Sequence, residues 1–163
     1  MIRALPAALP FLAAGPALAQ VAPADVVTPL FAPYSHALAA LALWALLLIV
    51  LTGLSGHGTP RRRTDSGHPA RDYSDPAYRR SRAHLNAVET SGVFVAATVA
   101  AILAGGPPFW VNLFAALFMV ARIAMAAVHI GTENQMLRSA CYVAGVVCTL
   151  TLAVMALIGA FVS

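Results

Sequence analysis

Lysine is absent from this chain, and charge of either sign is scarce: ten arginines and six acidic residues among 163 positions. A soluble globular domain carries about 25% charged residues. Here the figure is 10%, while 60% of positions are hydrophobic. Ordinary water-soluble packing is the wrong class for such a balance, and an integral membrane protein is the expectation. Cysteine is nearly missing as well. Cys141 and Cys148 lie two helical turns apart in an apolar run, a spacing that suits neither a disulfide framework nor a metal site, so they read as small buried apolar residues. Seven of the ten arginines fall between Arg61 and Arg82. Concentrated between apolar segments, they read as a topological signal, and nucleic acid is not an expected partner.

What is present is a series of long apolar segments. The first nineteen residues resemble a secretory signal peptide: Arg3 as a short positive region, Ala4 to Ala14 as an apolar core, and Ala17-Leu18-Ala19 before Gln20 as a cleavage site. Residues 20–33, with three prolines, read as an extended lead-in. Four helices are then predicted over about 34–54, 76–104, 109–130 and 137–161, each near the ~20 residues that cross ~30 Å of hydrocarbon. No period-2 strand pattern competes with them. The fold class is therefore all-α, a four-transmembrane-helix bundle occupying residues 34–163.

The connections are uneven. A loop over 55–75 contains "GTPRRRTDSGHPARDYSD", whereas "GGPP" (Gly105 to Pro108) and the segment before Leu137 are short turns. Arginine density puts the long loop and Arg138 in the cytoplasm, with both termini outside. A secretory signal gives the same orientation independently. The Arg61-Arg62-Arg63 run reads as an anchor or a contact for anionic lipid. Ser74 or Asp75 reads as the N-cap of the second helix, with Pro76 at its first position.

Several polar residues inside the apolar segments need a reason. Arg82, Asn86 and Glu89 are spaced i, i+4, i+7 on one helical face, and an ionised Glu89 facing lipid would cost several kcal/mol. Arg122, Met125 and His129 share a face of the third helix. Arg138, Ser139 and Tyr142 open the fourth. Arg122 and Glu89 lie at similar depth, and a structural ion pair between them is expected, with Asn86 bonding between helices. His129 and Glu133 lack a third ligand, so no metal is expected.

At this point the stretch "RAHLNAVETSGVF" resembles the MAPEG family, the membrane-associated proteins of eicosanoid and glutathione metabolism, in its bacterial members. Arg82, His84, Asn86, Glu89 and Phe94 stand in the register of that family's second-helix pattern. The block Ala121 to Gly145 resembles its third-helix arginine, short turn, "RS" pair and following tyrosine, here Arg122, Arg138, Ser139 and Tyr142. The resemblance implies a homotrimer in the bacterial inner membrane, with glutathione as co-substrate and a small apolar electrophile or hydroperoxide as second substrate. It implies that Arg82, Asn86, Glu89, His129 and Tyr142 bind glutathione, and that Arg138 with Ser139 activates its thiol for a transferase or peroxidase reaction. Leu85 stands where some enzymatic branches carry arginine, and Met125 and His129 where some carry histidine or tyrosine. The alternative is a non-enzymatic subunit of the same fold, whose polar cluster serves trimer assembly or binds lipid or a partner.

Overall fold

A computed structural model describes residues 29–162. The signal peptide expected over 1–19, and the lead-in as far as residue 28, lie outside the described residues. Two units are distinguished, 1–33 and 34–163. Of the first, residues 29–31 are helical rather than extended, a conformation that proline tolerates at the start of a helix. A 3-10 turn over Ala32–Tyr34 precedes the bundle.

The bundle has four helices: α1 (Ser35–Ser55), α2 (Pro76–Leu103), α3 (Pro108–Gly131) and α4 (Gln135–Val162). The described segments Pro29–Ser55, Pro76–Leu103, Pro108–Gly131 and Gln135–Val162 are long and apolar enough to cross a membrane. Large apolar side chains such as Leu43, Ile49, Val120, Leu150 and Ile158 stand exposed on the outside. That surface would be a liability in water and is the ordinary face of a protein in lipid.

The helix ends explain themselves locally. Asp75 caps α2 by accepting the Ala77 N–H at 2.9 Å, with Pro76 next to it. The other end of α2 closes on Gly105 at φ +66, where the amides of Gly105 and Gly106 return to the Ile102 and Ala101 carbonyls. Pro108 then opens α3. Helix α4 begins two residues earlier than the sequence suggests, because Asn134 Oδ1 accepts the Leu137 N–H at 3.0 Å in the manner of a cap. Ala37 N–H, otherwise an orphan donor near the start of α1, bonds to Asn112 Oδ1 at 2.9 Å.

Helices α2 and α3 pack on each other and each also meets α1 and α4. At the centre, Phe94 and Phe118 stack with ring centroids 3.7 Å apart, and Trp44 meets both edge-on. The Trp44 indole also donates to Ser91 Oγ at 2.9 Å. Buried hydroxyls are satisfied within their own helices: Thr98 donates to the Phe94 carbonyl and Thr149 to that of Gly145. A helix in hydrocarbon has no water to do this instead.

The long loop is also ordered by hydrogen bonds. Arg61 N–H donates to Asp75 Oδ2 at 2.9 Å, Ala70 N–H to the Arg62 carbonyl, and the Arg80 guanidinium to the His57 carbonyl.

Candidate functional site at the loop end of the bundle

Arg122 is a buried charged residue on α3, 4% exposed. Its Nη2 donates to Asn86 Oδ1 at 2.6 Å and to the Asn86 carbonyl at 2.9 Å, and its Nη1 lies 3.0 Å from Met125 Sδ. The rings of Trp44, Phe118 and Tyr142 surround it at 5.8 to 5.9 Å. The expected Glu89–Arg122 ion pair is not formed. Glu89 instead faces Arg82, Oε1 to Nη1 3.8 Å, with side chains 58% and 31% exposed. Desolvation explains the choice: burying a carboxylate beside the guanidinium would strip water from two charges, whereas an amide and a carbonyl satisfy Arg122 at the cost of one. Met125 thus takes part as a sulfur acceptor, a role that needs no donor.

Two cavities open beside this pair. The polar one, about 450 Å³, lies between α2, α3, α4 and the end of the long loop. It gathers Arg82, Asn86, His129, Arg138, Ser139 and Tyr142, so six of the seven residues expected at a ligand site share one space. Glu89 is the exception. It lines the adjoining cavity of about 300 Å³ with Arg122, Val93, Phe118, Gly145 and Leu150, a largely apolar space that meets the first at Tyr142. Helical spacing alone brings Glu89 near the others, but its seven-residue offset from Arg82 carries it almost two turns deeper.

Two residues lining the polar cavity each hold a buried nitrogen without a hydrogen-bond partner. Arg138, 7% exposed, leaves Nη1 without a hydrogen-bond partner, and His129, 5% exposed, leaves Nδ1 likewise. Buried polar atoms are usually satisfied, so such orphans mark a place where a ligand or water completes the bonding. No Asp or Glu is among the residues lining this space, while Arg71, Arg82 and Arg138 are. Its lining is basic.

Arg71, Tyr73 and Gln135 also line the cavity, and sequence reading missed them. The signal was present: Asp75 caps α2, so the residues just before it must stand at the mouth of the bundle. Asp72 Oδ1 takes both the Ser74 hydroxyl and amide, at 2.8 and 2.9 Å. The Ser74 hydroxyl and then its amide hold the Asp72 carboxyl below its ordinary range, and the amides of Arg61 and Ala77 do the same for Asp75. Leu85 faces a different cavity, shared with His84 and the loop, on the other flank of α2. His84 Nε2 stands 3.2 Å from Thr52 Oγ1. Glu133 faces Arg79 at 3.6 Å. Among the described residues no three His, Cys, Asp or Glu side chains cluster as metal ligands would.

Four apolar helices with an arginine-lined cavity at one end define an integral membrane protein. The profile of the MAPEG family matches residues 31–158, most of the chain, and the protein belongs to that family. It is a membrane protein of the glutathione and eicosanoid metabolism group. No curated protein matches it.

Proposed function

We propose that the protein binds glutathione in the polar cavity and activates its thiol for attack on an apolar electrophile or hydroperoxide. The observation that carries this reading is that Arg138 and His129, each with a buried nitrogen that lacks a hydrogen-bond partner, line the same arginine-rich space. Glutathione presents two carboxylates, an ammonium and a thiol. Arg82 and Arg71 suit the carboxylates through charge-assisted hydrogen bonds, and Glu89, exposed at the rim of the adjoining cavity, suits the ammonium. Asn86 already serves Arg122, so it contributes by fixing the cavity wall. Tyr142 borders both spaces and suits the point where the sulfur meets its acceptor.

Arg138 is the residue for thiol activation, with Ser139 beside it. A free thiol ionises near pKa ~8.5, and a guanidinium within contact favours the thiolate. The released proton goes to water at the cavity mouth. With an electrophile the sulfur lone pair forms the bond to carbon and the displaced group leaves with the bonding pair. With a hydroperoxide the sulfur takes the terminal oxygen as the O–O bond breaks to release the alcohol, and a second glutathione converts the resulting sulfenic acid to the disulfide and water. The apolar cavity beyond Tyr142 suits the acceptor.

The assembly in this reading is a homotrimer in the bacterial inner membrane, with the long loop cytoplasmic and the termini outside, as the arginine distribution favours. One observation favours the non-enzymatic alternative: the Arg122–Asn86 bond employs two of the family-pattern residues in holding helices together. The separating experiment is a conjugation assay with an apolar electrophile on wild-type protein and Arg138→Ala. Conjugation in the wild type, lost in Arg138→Ala with helical content and assembly kept, supports the enzyme. Equal rates in both would remove Arg138 from the chemistry.

A further inference from the structure

The segment before α2 reads in the sequence as a basic topological signal, yet it builds one wall of the polar cavity. The Arg138 guanidinium carbon lies 4.2 Å from the centroid of the Tyr73 ring, far closer than Arg122 stands to any of its three rings. At that distance the cation rests against the π face. Among the described residues, the ion pairs are Arg79–Glu133 and Arg82–Glu89, and neither involves Arg138. This choice of partner has a chemical consequence. A carboxylate would neutralise Arg138 and occupy its N–H groups, whereas a ring face holds the cation and consumes no donor. Nη1 is left buried and free.

The ring is needed because the surrounding charges oppose this placement. Two further guanidiniums face the same cavity, those of Arg71 from the loop and of Arg82 from α2, the latter partly offset by Glu89 at 3.8 Å, and no acidic residue lines it. Like charges at short range push a flexible guanidinium toward the open mouth. Tyr73 is in turn tethered. Its carbonyl accepts from Arg79 Nη1 at 2.7 Å, and its ring meets that of Tyr78 edge-on at 5.1 Å. Arg79 also donates to the Ile130 carbonyl at 3.1 Å, tying the segment to the end of α3. On either side, Asp72 and Asp75 fix the local turn.

We infer that Tyr73 is the positioning residue for Arg138, holding the guanidinium by its face so that its free N–H edge serves the cavity. Its effect on thiol ionisation rests on the glutathione reading above; its effect on Arg138 does not.

The test uses full-length protein in detergent micelles as wild type, Tyr73→Leu and Tyr73→Phe. In the first arm, without glutathione, arginines are modified with phenylglyoxal and the sites resolved by mass spectrometry. Arg62, exposed in the loop, serves as the reference. Arg138 is expected to be shielded in wild type and Tyr73→Phe, and to react about tenfold faster in Tyr73→Leu, the scale of a partly desolvated cation–π contact. In the second arm, bound glutathione is titrated by thiolate absorbance. Tyr73→Leu is expected to raise the bound thiol's pKa by about one unit, a tenfold loss of thiolate preference, and Tyr73→Phe to restore it. A merely structural role would alter melting without moving that titration. Should Tyr73→Leu fail to fold, Tyr73→Gln removes the ring while suiting a half-exposed site. Equal labelling of Arg138 in all three proteins, or Tyr73→Phe behaving like Tyr73→Leu, overturns the inference. If the labelling contrast holds but wild type binds no glutathione, the positioning role stands and the glutathione reading falls.

Discussion

Replacing Asn86 with leucine removes the side-chain acceptor of an almost fully buried cation. Arg122 is 4% exposed and relies on Asn86 Oδ1 at 2.6 Å and the Asn86 carbonyl at 2.9 Å. Interhelical hydrogen bonds between neutral groups in membranes average about 0.6 kcal/mol. Bonds to a charged group are worth about 1.5–3 kcal/mol, and that higher scale applies to a buried guanidinium. We therefore expect Asn86→Leu to cost about 2–3 kcal/mol, the carbonyl bond surviving. Arg122→Met removes the charge itself and leaves only a half-buried amide short of a partner, so it costs about 1 kcal/mol. In the double variant neither group remains to be unsatisfied, and the coupling should reach about 1.5 kcal/mol. Reversible unfolding in mixed detergent micelles, followed by circular dichroism, measures all three. Glu89→Gln serves as the control: its exposed pair with Arg82 predicts a loss below about 0.5 kcal/mol. Additive single losses, or a Glu89→Gln loss exceeding that of Asn86→Leu, would refute the reasoning and restore Glu89 as the partner of Arg122.

The other consequences concern helix approach and acidity. A Cβ at Gly159 would stand 2.6 Å from the Ala104 carbonyl oxygen and 3.0 Å from its Cβ, so Gly159→Ala must push α4 away from the α2–α3 turn. At Gly145 the nearest atom is Arg122 Cδ at 3.2 Å, a side-chain contact that needs a shift of only a few tenths of an ångström, not backbone displacement. Thermal unfolding should therefore show Gly159→Ala as the more damaging of the two. Asp72 and Asp75 have folded-state pKa values below the usual carboxyl range, so their contribution is present above the unfolded value of about 3.9 and lost as pH falls through the lowered folded values. Acidification from about pH 5 toward 2 should lower the unfolding midpoint of wild type more than that of the Asp72→Asn, Asp75→Asn double variant. An equal fall in both proteins would show that these carboxylates contribute nothing.

The architecture was readable from sequence because its determinants are local. Apolar length, the Asp75-Pro76 start and the Gly-Gly-Pro-Pro break act within a few residues of themselves, and the structure differs mainly at residues 29–31 and at the Asn134 cap. The membership of the polar cavity was largely readable too, since i, i+4 and i+7 spacings sort residues onto faces. The pairing inside it was not. Choosing Asn86 over Glu89 for Arg122 depends on the relative cost of desolvating an amide and a carboxylate, which depth in the bundle decides. Tyr73 was invisible for another reason: it belongs to a loop, where no periodicity indicates direction, and only the folded return of that loop sets its ring against Arg138.

The central claim is that the arginine-lined cavity receives glutathione. Titration calorimetry of glutathione into purified full-length wild-type protein in detergent, beside Arg138→Ala, tests it most directly. Saturable binding to the wild type, with proton release that Arg138→Ala suppresses, is the predicted result. An absence of binding heat in the wild type across several temperatures would contradict it.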